Sequence, residues 1–351
     1  MNNHNSNTWQ RFVIQRPGEW VIETIADIPE PGYGEVLIHS IAFGLCGTDI
    51  EVFNGDLSPR WVSYPCSIGH EWVGSVAAIG LGCESVSLHD TVAIEAMNPC
   101  LKCQQCLSRM TNLCINYDQF GLTSPGGSSE YVLVPKRLLH KLPAGFPITN
   151  GVLLEPMAVV MQAIEKLDIK ENMKIGIIGL GTLGLLAILV AKQKDPKELV
   201  AFGLTPLELE NSLLFGVSSC ISVLDRNALE SSSGFDVVLI TTGSSAAMDV
   251  ATEIVREGGR IATLGIGASE DVMSFSANRI VLKDLSIFGS ITYQSRHWEQ
   301  ALALLDLSSI DLTPIISIVY PLSKVDEAIK SVVDRSRPPG RVVVQHDWDF
   351  Q

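Results

Sequence analysis

The chain has 351 residues, more than one compact core usually accommodates, so two domains are expected. Hydrophobic residues make up 46% of it and charged residues 18%, which excludes an intrinsically disordered protein. A formal net charge of −14 argues against nucleic acid or an anionic membrane as a partner, since both require a basic surface.

Residues 1–9 are polar and Asn-rich, with no apolar segment behind a basic start; they read as a frayed end without a secretory signal. Between residues 10 and 95 the pattern is that of strands broken by Pro and Gly. The turn Pro31-Gly32-Tyr33-Gly34 precedes one strand over 34–40, and a second runs over 73–80. Residues 95–128 read as loop. Leu153–Leu167 reads as a helix, with Thr149 as a possible cap. From Met173 onward short apolar strands alternate with helices. Strands are expected over 173–178, 198–202, 219–223, 235–240, 260–264 and 285–289, with helices over 183–193, 207–215 and 246–256. Such alternation implies a parallel sheet covered by helices on both faces. Helices over 295–305 and 324–333 are expected to return to the first domain. No run of about 18 apolar residues occurs, so no membrane span is expected.

Eight cysteines occur, and Cys100, Cys103, Cys106 and Cys114 fall within one short loop. In a chain of this length without a signal segment, such a cluster reads as metal binding in a reducing cytoplasm. Four thiolates at this spacing close a tetrahedral zinc site with no open position, so its role is structural. Cys66, Cys83 and Cys220 have no partner in spacing and read as small buried hydrophobes.

The segment Gly179-Leu180-Gly181-Thr182-Leu183-Gly184 follows a strand and opens a helix. Gly179 suits a tight turn, Gly181 a close backbone approach to a pyrophosphate, and Gly184 close packing of helix on strand. The helix N-terminus then offers free N–H groups to the phosphates. The next strand ends at Gly203-Leu204-Thr205, where an Asp or Glu usually grips the ribose 2′-hydroxyl. No acid stands there, and no Arg or Lys follows over 204–208 to receive a 2′-phosphate. Weak discrimination between NAD and NADP is therefore expected.

Three further segments are unremarkable singly: Gly44-Leu45-Cys46-Gly47-Thr48-Asp49, Gly69-His70-Glu71 and Leu154-Glu155-Pro156. Together with the four-cysteine loop, the glycine turn, and Thr242-Gly243 and Leu264-Gly265 at later strand ends, they resemble the zinc-dependent medium-chain dehydrogenases. The resemblance spans nearly the whole chain and is nearest the polyol (sorbitol-type), threonine and sugar dehydrogenase branch. It implies that Cys46, His70 and Glu155 bind a catalytic zinc, with water or Glu71 exchanging in the fourth position. One thiolate and one carboxylate would leave the ion near neutral and able to lower the pKa of an alcohol that then passes hydride to the nicotinamide. Thr48 matches the family's proton-relay hydroxyl. Glu51 stands where the family often has an outer-relay His. Asp49 reads as a carboxylate bonding within its own turn.

The α/β architecture so implied has a GroES-like, β-rich catalytic domain at 1–156 plus 292–351, with the structural zinc lobe at about 95–115. A Rossmann dinucleotide-binding domain fills 157–291. The expected cofactors are two zinc ions and NAD or NADP, and the expected substrate is a small polar alcohol or its carbonyl form. A polyol or sugar is favoured, with threonine or another amino alcohol as the alternative. A zinc-free quinone reductase and a non-catalytic protein that retains the fold are the remaining rivals. The substrate cleft is expected between the domains, lined by side chains such as Phe53, Trp61, Trp72 and Tyr293. A homodimer or homotetramer is expected from the resemblance alone.

Overall fold

The computed structural model describes residues 8–265, 276–308, 310–334 and 337–347. The chain divides into two compact units. The first comprises Met1–Glu155, Ile316–Arg337 and Arg341–Gln351; the second comprises Pro156–Ile315 and Pro338–Gly340.

The first unit is organised around the strand Glu35–Leu45, whose residues are buried almost without interruption, as in a central strand covered on both faces. Its first part, Glu35–His39, pairs antiparallel with Tyr131–Pro135, and its last part, Ala42–Leu45, with Val342–Gln345. Along its other edge it pairs with Glu71–Ile79, which passes the sheet on to Thr91–Ile94 and then Leu139–Lys141. Ile316–Pro321 joins parallel to Arg341–Gln345 and completes seven strands. A hairpin of Thr8–Arg16 and Glu19–Ala26 attaches through Ile14 and Cys66. The polar start anticipated over 1–9 is therefore shorter: Thr8 and Trp9 belong to a strand because Trp9 buries its ring, edge-on to Tyr131 at 6.3 Å. Residues 1–7 lie outside the described residues.

The core of this unit gathers Phe12, Ile14, Phe43, Ile68, Trp72, Val342 and Ile329. Trp72 is only 1% exposed, so it belongs to this core and lines no cleft. Thr149 caps nothing; it lies within a short helix, Ile148–Gly151, before the helix Leu154–Leu167.

In the second unit six strands form one parallel sheet. In spatial order they are Ser219–Ser222, Glu198–Gly203, Lys174–Ile178, Phe235–Ile240, Val255–Thr263 and Ser286–Gly289. The chain runs outward one way from Lys174–Ile178, then crosses back beside it and runs outward the other way. That reversal is the topological switch point of a doubly wound sheet, where ligands bind beyond the strand C-termini. The helix expected over 246–256 stops at Ile254, because Val255 already pairs with Phe235 in the sheet. Two short helices, Arg226–Ser231 and Ala277–Leu282, carry too little periodicity to be read from sequence. Helix Val325–Val333 falls in the first unit and helix Ser295–Ser308 in the second. There Glu165 bonds both the Arg296 guanidinium, at 2.6 Å, and the His297 ring, at 3.0 Å.

Candidate metal centre and cofactor turn

The metal-competent side chains of the first unit are placed by a helix start and a strand start. Cys46 is the N-cap of helix Gly47–Asn54, and its Sγ accepts the Thr48 N–H at 3.3 Å. A thiol is an unusual cap. Gly69, with φ of +90°, turns the chain into strand Glu71–Ile79, and a Cβ there would stand 2.8 Å from the Phe43 ring. Only glycine fits both demands. The turn brings His70 Nε2 to 3.1 Å from Cys46 Sγ.

Asp49 fixes both residues. Its Oδ2 accepts the Cys46 N–H at 2.9 Å, its Oδ1 accepts the Gly69 N–H at 3.2 Å, and the same Oδ1 lies 3.5 Å from His70 Nδ1. A carboxylate on Nδ1 leaves Nε2 free to ligate, the arrangement that orients metal-binding histidines. The ligand atoms of Cys46, Asp49 and His70 all lie within 4.8 Å of one another. Burial opposes protonation of His70, yet the Cys46 and Asp49 charges hold its pKa well above the usual histidine value.

Glu155 and Glu71 stand outside that tight group. Glu155 is 8% exposed, and burial first, then the Glu71 charge, pushes its pKa up to about 8. Glu71 is 2% exposed and accepts from Arg341 Nη2 at 2.7 Å; its other oxygen has no hydrogen-bond partner among the described residues. Arg341 also donates to the Leu45 carbonyl at 2.7 Å. The half-buried Cys46 and the buried Asp49, Glu71 and Glu155 thus give four anion-forming groups around one permanent cation, Arg341. A dication fits that imbalance and the unpartnered oxygen.

The second cluster is closed. Cys103 Sγ lies 3.5 Å from Cys106 Sγ and 3.8 Å from Cys114 Sγ, and all four ligand atoms fall within 4.8 Å. A tetrahedral ion with bonds of about 2.3 Å to sulfur sets sulfur edges of roughly 3.8 Å, so the four thiols fit zinc as found. The Cys106 and Ile115 backbone N–H groups draw the Cys103 thiol down to about 6. A short antiparallel pair, Met97–Asn98 with Asp118–Gln119, closes the base of this lobe.

The glycine turn of the second unit behaves as its spacing implies. Gly179 has φ of +96°, and a Cβ on Gly184 would stand 1.9 Å from the Gly179 carbonyl oxygen. Gly181 is the N-cap of helix Thr182–Lys192; a Cβ there would meet nothing within 4 Å, which leaves an open cradle before the helix N-terminus. Across the switch point Thr241 Oγ1 donates to the Gly179 carbonyl at 2.8 Å. Thr242-Gly243 and Leu264-Gly265 follow the next two strands, and a Cβ on Gly265 would sit 2.2 Å from the Thr242 carbonyl carbon. The cradle fits a dinucleotide pyrophosphate.

Two family descriptions match in chain order. The alcohol dehydrogenase GroES-like domain matches residues 32–144, and zinc-binding dehydrogenase matches residues 182–306. The chain belongs to the zinc-dependent medium-chain dehydrogenases. L-threonine 3-dehydrogenase of Yersinia pestis (strain Pestoides F) is 28% identical over 337 residues, covering 93% of this chain and 96% of that one. Galactitol-1-phosphate dehydrogenase from Escherichia coli superposes with a TM-score of 0.86 at 26% identity, covering 96% and 99% of the two chains. An alcohol dehydrogenase from Escherichia coli CFT073, with NADH bound, has the same fold at a TM-score of 0.89 and 24% identity, covering 97% and 99%.

In this zinc dehydrogenase Cys46 and His70, both singled out in the sequence, lie 3.1 Å apart, and Asp49 bonds within its turn. The reach of Asp49 across to His70 and the place of Arg341 were not legible in the sequence. No local motif marks Arg341, which lies 270 residues from Glu71. The Thr48 hydroxyl makes no hydrogen bond among the described residues, so it does not cap its own turn. Glu51, on the same helix, is half-buried, and burial, followed by the nearby Asp56 charge, raises its pKa. Of the solitary thiols, Cys66 and Cys83 are buried, while Cys220 is half-exposed on a sheet-edge strand. No helix among the described residues is long and apolar enough to cross a membrane.

Proposed function

We propose that Cys46, His70 and Glu155 hold a catalytic zinc and that the chain oxidises a vicinal polyol or sugar alcohol, or reduces its carbonyl form, with NAD or NADP. The observation that carries the proposal is the 3.1 Å approach of Cys46 Sγ and His70 Nε2, both held by one buried carboxylate. When bound, zinc would supply Lewis acidity to the substrate hydroxyl. The chain supplies everything else. Asp49 keeps His70 in the Nε2-ligating orientation. Arg341 holds one oxygen of Glu71, which supports an exchanging place for Glu71 and a permanent one for Glu155. Thr48, with its unengaged hydroxyl, takes the substrate proton, and the raised pKa of Glu51 suits the outer end of that path. Leu180, Thr182 and Leu183, between and beside the three turn glycines, contribute backbone to the pyrophosphate cradle, and Gly203 flanks the adenosine ribose.

Buried acceptors favour a substrate with several hydroxyls, because each acceptor left unmatched costs about 1–3 kcal/mol. The full-length match to a threonine dehydrogenase favours threonine as the second reading, since an ammonium also suits carboxylates. Catalytic efficiencies for sorbitol-like polyols, aldoses, threonine and butanol, each with both cofactors, decide between them. Polyols or aldoses are expected first; butanol in first place would refute a polar substrate. We propose a homodimer or homotetramer in a reducing cytoplasm. Exposed Val281, Leu282 and Ile291 flank the sheet-edge strand Ser286–Gly289 and support the association; the eight free thiols support the compartment.

A further inference from the structure

The strand Glu198–Gly203 ends beside the glycine turn: the Gly179 N–H donates to the Phe202 carbonyl at 2.9 Å. Residues 203–205 therefore face the side of the cradle where a dinucleotide's adenosine ribose belongs. Position 203 is glycine, and a side chain there would have to displace its leucine neighbours. A Cβ there would stand 2.7 Å from Leu180 Cδ1 and 3.1 Å from Leu209 Cδ2, and Leu180 is 1% exposed within the turn itself. With glycine at 203 and leucines packed over it, the strand end itself presents no carboxylate to a ribose.

The helix that follows returns a carboxylate to the same place. Thr205 is its N-cap, and Thr205 Oγ1 accepts the Glu208 N–H at 3.3 Å. In exchange, Glu208 Oε2 accepts the Leu204 N–H at 2.9 Å and the Thr205 N–H at 3.1 Å. This reciprocal box folds Glu208 back over residues 204–205. Its other oxygen takes no hydrogen bond among the described residues. The two amides so occupied are the donors that a 2′-phosphate would otherwise find at a helix start. The nearest cation after the adjoining strand, Arg226, pairs with Glu253 and does not offset the charge.

We propose that Glu208 is the specificity-determining residue for the cofactor, excluding a ribose 2′-phosphate by charge and by occupying its donors. It leaves a free oxygen to a 2′-hydroxyl. The chain thus selects NAD, in place of the weak discrimination that the bare strand end implies. The inference rests on the dehydrogenase reading of the glycine turn.

The test is a fluorescence titration of the zinc-replete protein, without substrate, against NADH and NADPH. The wild type should bind NADH at least about tenfold more tightly, a difference of about 1.4 kcal/mol. Glu208→Gln keeps an amide oxygen for the same two N–H donors and removes only the charge, so the helix start survives. It should cut the NADH-to-NADPH affinity ratio by about tenfold or more, mainly through tighter NADPH binding. Thermal melting of the variant within a few degrees of the wild type confirms the intact cap. Equal affinity of the wild type for both cofactors, or an unchanged ratio in Glu208→Gln, overturns the assignment alone. Failure of the wild type to bind either cofactor overturns the dehydrogenase reading and the assignment with it.

Discussion

The Arg341 guanidinium and the Glu71 carboxylate form a buried ion pair at 2.7 Å that ties the strand Arg341–Gln345 to the residue following His70. A single pair thus supports one wall of the metal centre from the far end of the sequence. Breaking a buried pair from one side leaves an uncompensated charge and costs about 3–5 kcal/mol. Arg341→Met should lower the urea stability of the holoenzyme by that order. The double variant Glu71→Gln, Arg341→Met should recover part of the loss. A cost for the single variant below about 1 kcal/mol, the scale of an exposed pair, would show that Glu71 stays protonated there.

Metal analysis of replete protein should return two zinc ions per chain. The two sites should then respond differently to mutation. Cys103→Ser should lose one ion and much of the folding stability, because metal binding in a closed four-thiol site contributes folding free energy. Cys46→Ser should lose the other ion and turnover while circular dichroism and melting stay close to the wild type. Equal damage to folding from both would erase the distinction between a structural and a catalytic site.

Glu155 and Glu71 should separate in the same way. Glu155→Gln should release the catalytic zinc to a colorimetric chelator and abolish or strongly impair turnover. Glu71→Gln should keep the ion and most of the activity, with its main effect on stability through the orphaned Arg341. The reverse order of zinc loss would exchange the roles given to the two carboxylates.

Acid sensitivity should have an identifiable contributor away from the metal. His346 Nε2 donates to the Gly127 carbonyl at 2.6 Å and lies 3.1 Å from Ser40 Oγ. Burial above all, with the His39 charge adding to it and the Gly127 bond and Asp347 opposing it, pushes its pKa down to about 4. The folded state therefore resists a proton that the unfolded chain accepts near pH 6.5. The stability this contributes is complete above about 6.5 and drains as pH falls toward 4, to a total of roughly 3 kcal/mol at most. His346→Gln should flatten the fall in stability between those limits, measured as the difference from the wild type. An identical pH profile would mean that His346 titrates in the folded protein as it does in the unfolded one.

The parts of the molecule that were legible in the sequence are those whose chemistry is written locally. The spacing of Cys100, Cys103, Cys106 and Cys114 within one loop leaves little freedom, and the four sulfurs meet. Gly179 and Gly184 each answer a steric demand of one turn, and Gly181 leaves its mouth open, so strand, turn and helix follow from ten consecutive residues. The alternation from Met173 onward foretold the parallel sheet for the same reason. What stayed hidden depends on distance along the chain or on reciprocal bonding. Trp72 looked like a cleft residue because nothing local reveals that Phe43 and Phe120 enclose it. Asp49 appeared to serve only its turn, since His70 lies 21 residues further on. Glu208 lies beyond the strand end in sequence, and only the capping box shows that its carboxylate is returned there.

The strand Glu35–Leu45 has a consequence for synthesis. Its last residues pair with Val342–Gln345, and the neighbouring Glu71 waits for Arg341. The second unit is nearly contiguous, from Pro156 to Ile315, and can condense while the ribosome still holds the chain. The first unit begins earlier but cannot close its sheet until the last strand emerges. Until then the Glu35–Leu45 edge near Cys46 is unpaired and Glu71 has no counter-ion. Nascent chains stalled or truncated before residue 341 should therefore carry a folded nucleotide-binding half beside an exposed strand edge, the form most prone to aggregation and to quality control.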